Sequence, residues 1–321
     1  MNILVLSCGT RVLLMQYFKK QLEGKGRLIA TDCNPFAPAL FEADKHYVVP
    51  RITHPDYMNT IKEICVKEKI KGVLTLIDPE ISLIARHKEE FAALGVTVLT
   101  SSYDAVECSF NKMEMYRFCK ANGIRAVASF GSLPEAEAAL EQGSVKFPLF
   151  VKPVCGSCSK QIRRVDDLET LRFLCKQEPE LMIQEYMEGN EIGVDVYVDG
   201  ISGKAVSIFS KKKLLMRAGE TDKSVSFIDE MLFAFIKHFV ELRGFRYQID
   251  IDLFERDGEY YISEVNPRFG GGYPHAYECG CDFTQLIVNN LSGIANTEKL
   301  GDYPVDVYMM KYPAIQIIKG L

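Results

Sequence analysis

Residues 260–274, YYISEVNPRFGGGYP, run from an apolar strand pattern straight into a glycine-rich turn. Alternation along a strand places Tyr260, Ile262 and Glu264 on one face and Tyr261, Ser263 and Val265 on the other. Pro267 and the triplet Gly270, Gly271 and Gly272 then end regular pairing. Glu264, Asn266 and Arg268 bring together a carboxylate, an amide oxygen and a guanidinium. Such donors hold a divalent cation and the oxygens of a phosphate. A surface hairpin end with three solvated side chains would carry the same letters, so the flanking segments have to decide.

Immediately upstream, 247–254 reads as a strand with Gln248, Asp250 and Asp252 on one face. Arg256-Asp257-Gly258 turns it back into 259–265, making a hairpin. Acids facing one another on its two arms repel unless a cation lies between them, which favours a metal site. Asp250 and Asp252 compete for the third position beside Glu264 and Asn266. Before the hairpin, Ile228, Leu232, Phe235, Phe239 and Leu242 repeat at helical spacing, so 228–242 is a core helix. Residues 207–213 read as a strand and 214–226 as a loop. Residues 192–198 form another strand, preceded by a turn that carries Glu185, Tyr186, Met187 and Glu191.

Between the strand 149–152 and the helix 168–176 lies VKPVCGSCSK, a loop of small residues bracketed by Lys152 and Lys160. Small residues let backbone N–H groups approach an anion and the lysines supply countercharge. Gly156, Ser157 and Ser159 are therefore a phosphate cradle, although not one of the G-x-x-x-x-G-K-[ST] type. Cys155 and Cys158 form a C-x-x-C. The match to a papain-type nucleophile stops at Ser159, where an aromatic is required. A zinc or redox pairing with Cys279 and Cys281 lacks accepted ligand spacing. Lys112 stands at the start of a helix over 111–121 that Asn122-Gly123 closes; by itself it is an ordinary solvated lysine.

The first hundred residues alternate strands (3–6, 27–31, 46–49, 72–77, 96–99) with helices (12–22, 55–69, 79–92), the pattern of an open parallel sheet. Ser7-Cys8-Gly9-Thr10 and Asp32 sit where a dinucleotide would bind, but G-x-G-x-x-G is absent. Cys8, Gly9, Asp32 and Asp78 are expected to face a cleft beyond the strand ends. A smaller α+β unit follows over 124–185. In a chain of 321 residues with net charge −5 there is no polybasic footprint, so nucleic acid and anionic membranes are disfavoured as partners. No apolar run approaches the ~18–20 residues of a spanning helix. The ten cysteines read as reduced core thiols and the chain as cytoplasmic.

In order, Asn111-Lys112, Val151-Lys152-Pro153, the small-residue loop, Gln184-Glu185-Tyr186-Met187 with Glu191, then Asp252 and Glu264-Val265-Asn266-Pro267-Arg268 resemble the ATP-grasp superfamily. The resemblance is strongest to the branch of carbamoyl phosphate synthetase large chains and biotin carboxylase. It implies an α/β and α+β protein: a Rossmann-like pre-ATP-grasp domain (1–105), a small lid subdomain with a linker helix (106–185) and a C-terminal subdomain with the metal site (186–321). It implies ATP and Mg2+ or Mn2+ as cofactors, with Asp252, Glu264 and Asn266 as metal ligands. Lys112, Lys152, Gly156, Ser157, Ser159, Glu185, Tyr186, Met187 and Glu191 would hold the nucleotide, and Lys152 and Arg268 would steady the transferring phosphoryl group. Gly271, Gly272, Tyr273 and His275 would line the acceptor side. The implied activity is a carboxylate–amine ligase working through an acyl phosphate on small-molecule substrates. Phosphorylation of bicarbonate or carbamate and a silent ATP-binding regulatory subunit are the alternatives, and a homodimer stays open. One departure is the cradle loop, where cysteines and serines stand in place of glycines.

Overall fold

The computed structural model describes residues 1–156, 162–178 and 180–319. The strands β1 (Asn2–Leu6), β2 (Arg27–Asp32), β3 (Lys45–Val48), β4 (Ile70–Thr75) and β5 (Thr97–Val98) form a parallel sheet in the order β3-β2-β1-β4-β5. Helices α1 (Val12–Leu22), α2 (Tyr57–Lys67), α3 (Asp78–Arg86) and α4 (Lys88–Ala93) connect the strands. Ile3 and Val5 join the core that includes α1, whereas Leu4 and Leu6 join the one that includes α2. Both faces are covered, which is why β1 is continuously apolar. The single helix expected over 79–92 is broken at His87 into α3 and α4.

Two helices follow. The first, α5 (Tyr103–Phe110), is capped by the Ser102 hydroxyl. The second, α6 (Lys112–Ala121), is capped by Asn111, whose side-chain oxygen accepts from the Met113 and Glu114 amides. The sheet after them has β6 (Ser129–Phe130), β7 (Leu149–Pro153), β8 (Arg163–Val165) and β9 (Leu181–Glu185) in the antiparallel order β6-β9-β7-β8. Its core is completed by α7 (Leu133–Glu141) and α8 (Leu168–Gln177).

The largest sheet contains β10 (Asn190–Val198), β11 (Ala205–Arg217), β12 (Glu220–Phe227), β13 (Tyr247–Arg256), β14 (Glu259–Asn266) and β15 (Tyr308–Met310). Their order is β14-β13-β10-β11-β12-β15, antiparallel throughout. The helices α9 (Glu230–Arg243), α10 (Tyr273–Glu278) and α11 (Phe283–Leu291) belong to the same region. Asp257 and Gly258, with φ of 55° and 77°, make the tight β13–β14 turn that the Asp-Gly pair requires.

Two sequence expectations change here. Residues 214–226 are not a loop: β11 continues to Arg217, and β12 begins at Glu220 after a turn at Ala218 and Gly219. The inward lysines of β11 hide the apolar alternation that would have revealed it. In β14 the register slips, with Asp252 opposite Glu264 but Leu253 opposite Ile262, so Ser263 is a bulge. Tyr260, Ile262 and Val265 therefore share the core, while Glu264 turns away from Tyr260 and Ile262 into a cleft.

The Asp199 carboxylate closes the β10–β11 connection onto the last turn of α11 and the chain after it. One oxygen accepts from the Ile201 and Ser202 amides, and the other from Asn290 Nδ2 at 2.6 Å and from the Asn296 amide and side chain at 2.9 and 2.8 Å. Burial alone would raise its pKa, but these donors outweigh it and hold the carboxyl well below the usual range. A depressed folded pKa gives stability that is present above the unfolded pKa of about 4 and is lost as pH falls below it. Urea titration of Asp199→Ala at neutral pH is expected to show a loss of about 2–4 kcal/mol. The gap to the parent chain should narrow as the pH drops below about 4.

Candidate active site

The cleft where the three sheets meet has a volume of about 550 Å³. Lys152 of β7, Glu191 of β10, Lys213 of β11, Asp250 and Asp252 of β13, and Glu264, Asn266 and Arg268 at the end of β14 all line it. Cys8, Gly9 and Asp78 face it from the parallel sheet, as the open-sheet reading expected. Asp32 does not. Its carboxylate turns back to accept from the Gly9 amide at 2.8 Å and the Asn34 amide at 2.8 Å, filling its own strand-end loop.

Cross-strand pairing brings the acids together. Asp252 lies opposite Glu264, Asp250 opposite Asn266, and Asp250 also opposite Asp195 of β10. Lys213 has its ammonium 2.9 Å from Glu191 and 2.7 Å from Asp252. Burial works against its charge, but those two carboxylates outweigh the effect and raise its pKa. Lys211 makes a fully buried ion pair with Asp195. Gly193 stands opposite Lys211 on β10, and a Cβ there would meet the Lys211 and Lys213 stems at 3.0 and 3.2 Å. The sequence reading missed Lys211 and Lys213. Their signal was two lysines spaced by two within a strand.

Arg268 forks onto Asp78, with Nε 2.8 Å from one oxygen and Nη2 3.3 Å from the other. Nη2 also reaches the Asn266 side-chain oxygen at 3.2 Å, and Nη1 lies 3.9 Å from Asp250. Burial, with Asp252 and Asp195 nearby, pushes the Asp250 carboxyl up to about 7 against the pull of Lys211 and Arg268. Burial lowers the pKa of Lys152, while Glu264 and Asp252 oppose that shift.

The glycine triplet is packed against charges. A Cβ on Gly270 would strike the Asp250 carboxylate at 2.5 Å, one on Gly271 the Glu220 carboxylate at 2.6 Å, and one on Gly272 the Lys211 stem at 3.0 Å. Gly271 and Gly272 line the cleft, but Tyr273 and His275 do not. Both are buried. The Tyr273 hydroxyl donates to the Cys281 carbonyl, and His275 bonds Ser224 and the Val307 carbonyl. The place of His275 on the acceptor side is therefore corrected, since α10 turns it into the core, whereas Tyr273 lines the neighbouring pocket together with Gly270 and Gly271.

Lys112 lies at the edge of the region, its ammonium 2.5 Å from the Gly156 carbonyl, and Asn111 bridges Cys155. Glu185 spends its carboxylate on Arg256 at 2.6 Å and its amide on the Ala128 carbonyl. Tyr186 packs on Phe150, and Met187 is buried. Ser157, Cys158, Ser159 and Lys160 lie outside the described residues. Cys155 is exposed, whereas Cys279 and Cys281 are buried. Among the described residues no His, Cys, Asp or Glu cluster is arranged to hold a metal by itself. The oxygen donors of Asp252, Glu264 and Asn266 nevertheless suit Mg2+, which takes one or two carboxylates and completes its shell with phosphate and water.

Comparison with known proteins agrees with this architecture. Residues 3–99 match the family described as "PylC-like, N-terminal domain", and residues 177–311 match "ATP-grasp in the biosynthetic pathway with Ter operon". The match over 177–311 and the fold make the chain similar to ATP-grasp proteins. In sequence the chain is 26% identical over 296 residues to a carbamoyl phosphate synthase large chain of Clostridium beijerinckii, covering 86% of itself and 26% of that protein. It is 21% identical over 302 residues to a carbamoyl-phosphate synthase of Methanobrevibacter smithii, covering 89% of itself and 80% of the relative. In structure it resembles the biotin carboxylase domain of Hydrogenobacter thermophilus 2-oxoglutarate carboxylase, solved with MgADP and bicarbonate (TM-score 0.76, 14% identity, 95% of this chain and 73% of that one). It also resembles N5-carboxyaminoimidazole synthetase of Staphylococcus aureus, solved with ADP (TM-score 0.73, 13% identity, 92% and 78%). No described helix is long and apolar enough to cross a membrane.

Arg268→Met would leave Asp78 and Asp250 without their shared cation. Urea unfolding should show a loss of about 3–5 kcal/mol, with a substantial part recovered when Asp78→Asn is added. His275 offers a pH marker, because burial, aided by Lys211, lowers its pKa to about 4. Its folded value lies below the unfolded value of about 6.5, so the neutral ring adds stability that is lost as pH falls through that window. An NMR titration should find the His275 ring still neutral at pH 5.5 or so, where exposed histidines are largely protonated.

Proposed function

We propose that this chain is an ATP- and Mg2+-dependent ligase that joins a carboxylic acid to an amine through an acyl phosphate. One observation carries the reading: Glu191, Asp250, Asp252 and Glu264 converge in a single cleft with Lys152, Lys213 and Arg268. A carboxylate and a triphosphate repel at bonding distance, and fixed cations with preorganised donors offset that repulsion.

On this reading the substrate carboxylate oxygen attacks the γ-phosphorus. The bond from that phosphorus to the bridging oxygen breaks, and ADP departs with the electron pair. The amine nitrogen then attacks the acyl carbon, the bond to phosphate breaks, and the nitrogen loses a proton. Lys152 and Arg268 neutralise the phosphoryl oxygens. Asp252, Glu264 and Asn266 would hold Mg2+, which screens the phosphate charge when bound. Lys213 would balance the charge of Glu191 and Asp252 beside that site. The Glu185–Met187 backbone would receive the adenine edge and Glu191 the ribose. Lys112 would steady the cradle through Gly156, and the loop containing Ser157 and Ser159 would cover the phosphates.

The named relatives are carbamoyl phosphate synthases, which supports a second reading in which bicarbonate or carbamate is phosphorylated. Hydroxylamine trapping separates the two. A ligase should give magnesium-dependent ADP release that requires an organic acid, together with the matching hydroxamate; ADP release driven by bicarbonate alone favours the second reading. ATP that binds but stays intact with every acid and with bicarbonate would make the chain a silent binding subunit. Glu264→Gln should abolish turnover while leaving the unfolding transition in place, and full activity in that variant would refute the metal assignment.

A further inference from the structure

Beside the charged cleft lies a second chamber of about 1040 Å³, which shares Thr10, Arg11, Glu220 and Gly271 with it. The character of the walls changes across that seam. The first cleft is lined by acids and cations, whereas the second has Leu13, Phe36, Phe41, Pro274, Met310 and Ile315 around it. Those walls come from the α1 region, the segment before β3, the glycine turn and the chain after β15. The last of these is tied down at both ends: the Lys311 amide donates to the Asp222 carbonyl at 2.9 Å, and Gln316 bonds Glu42 at 3.0 Å. A volume near 1000 Å³, lined mainly by apolar side chains, open to solvent along Phe36, Met310 and Ile315 and with polar groups at its ends, has the size of a small-molecule site.

The seam itself is built from charge. Arg11 Nη2 lies 2.9 Å from one Glu220 oxygen and Lys311 Nζ 2.9 Å from the other. A single carboxylate thus stands between two cations, which leaves one positive charge in surplus. Glu220 also feels Arg268, so the seam borders the phosphate end of the first cleft. Gly271 permits this closeness, since a Cβ there would lie 2.9 Å from Arg11 Nη1. Neither Arg11 nor Glu220 was picked out by the sequence motifs.

We propose that this chamber is the acid-substrate subsite and that its ligand is a carboxylic acid with a bulky apolar body. Arg11 and Lys311 receive the carboxylate at the seam, facing the first cleft, and the apolar body fills the space between Leu13, Phe36 and Met310. The inference rests on reading the first cleft as an acid-activating site, and it excludes bicarbonate as the preferred acid because nothing in so small an anion would occupy the apolar walls.

Calorimetric titration of the full chain without nucleotide tests it, with phenylpropanoate, acetate and bicarbonate as probes and MgATP binding measured separately. Phenylpropanoate should bind at least about tenfold more tightly than acetate, Arg11→Gln and Phe36→Asp should each weaken it by about tenfold, and Phe36→Asp should leave MgATP affinity unchanged. Phe36 is 71% exposed, so its replacement spares the core. Equal affinity for acetate or bicarbonate, or unchanged phenylpropanoate binding in Phe36→Asp, overturns the proposal. So does self-association that Phe36→Asp abolishes in a chain that binds no acid, since the chamber would then be a face between copies. A chain that binds phenylpropanoate but no MgATP upholds the acid site and overturns the ligase reading.

Discussion

Charge compensation inside one sheet is the constraint on which the rest of this structure depends. Asp195, Asp250, Asp252, Glu191 and Glu264 occupy neighbouring positions on β10, β13 and β14. A buried carboxylate without a partner costs several kcal/mol. Lys211 answers Asp195, Lys213 answers Glu191 and Asp252 together, and Arg268 reaches Asp78 with Asp250 beyond it. Asp250 has Arg268 only at 3.9 Å, and its carboxyl is driven up to about 7. The arrangement needs room as well as charge. Gly193 provides it on β10 for the two lysine stems, and the glycine triplet provides it for the acids of β13 and β12.

The same ion network joins the two ends of the chain. Arg268 lies just beyond β14, yet its fork closes on the first turn of α3 in the parallel sheet. Nearby, the rings of Tyr17 and Tyr277 stack at 3.5 Å, and the Tyr17 hydroxyl donates to Glu278. The small sheet is attached through β14 as well, by the pairing of Arg125 and Val127 with Ile262. The segment that carries Glu264 is thus in contact with both other sheets. A shift in any of them moves the acids of the cleft, which places the site at the junction of the sheets and not within one of them.

What the similarity to solved carboxylase and synthetase structures conveys is the fold. Identities of 13–14% to the solved carboxylase and synthetase structures match the path of the backbone. The chain spans only 26% of the Clostridium large chain. Such similarity is silent on the Arg11–Glu220–Lys311 seam and the apolar chamber beside it.

Much of this was legible in the sequence because it is local. The parallel strands show as apolar runs between helical periods, the Asp257-Gly258 turn fixes the β13–β14 hairpin, and Glu264, Asn266 and Arg268 announce a charged strand end. Strand alternation failed at Ser263, because a bulge depends on how β13 pairs and not on the letters of β14. His275 looked like a site residue from its neighbours, but the turn into α10 carries it into the core. Lys213 pairs with Glu191 across 22 positions and Arg268 with Asp78 across 190. The sequence by itself determined the period of each element and the chemistry of its motif. Only the tertiary structure decided which charges meet, because partners so far apart in the chain are chosen by sheet register and packing, for which no local pattern carries a signal.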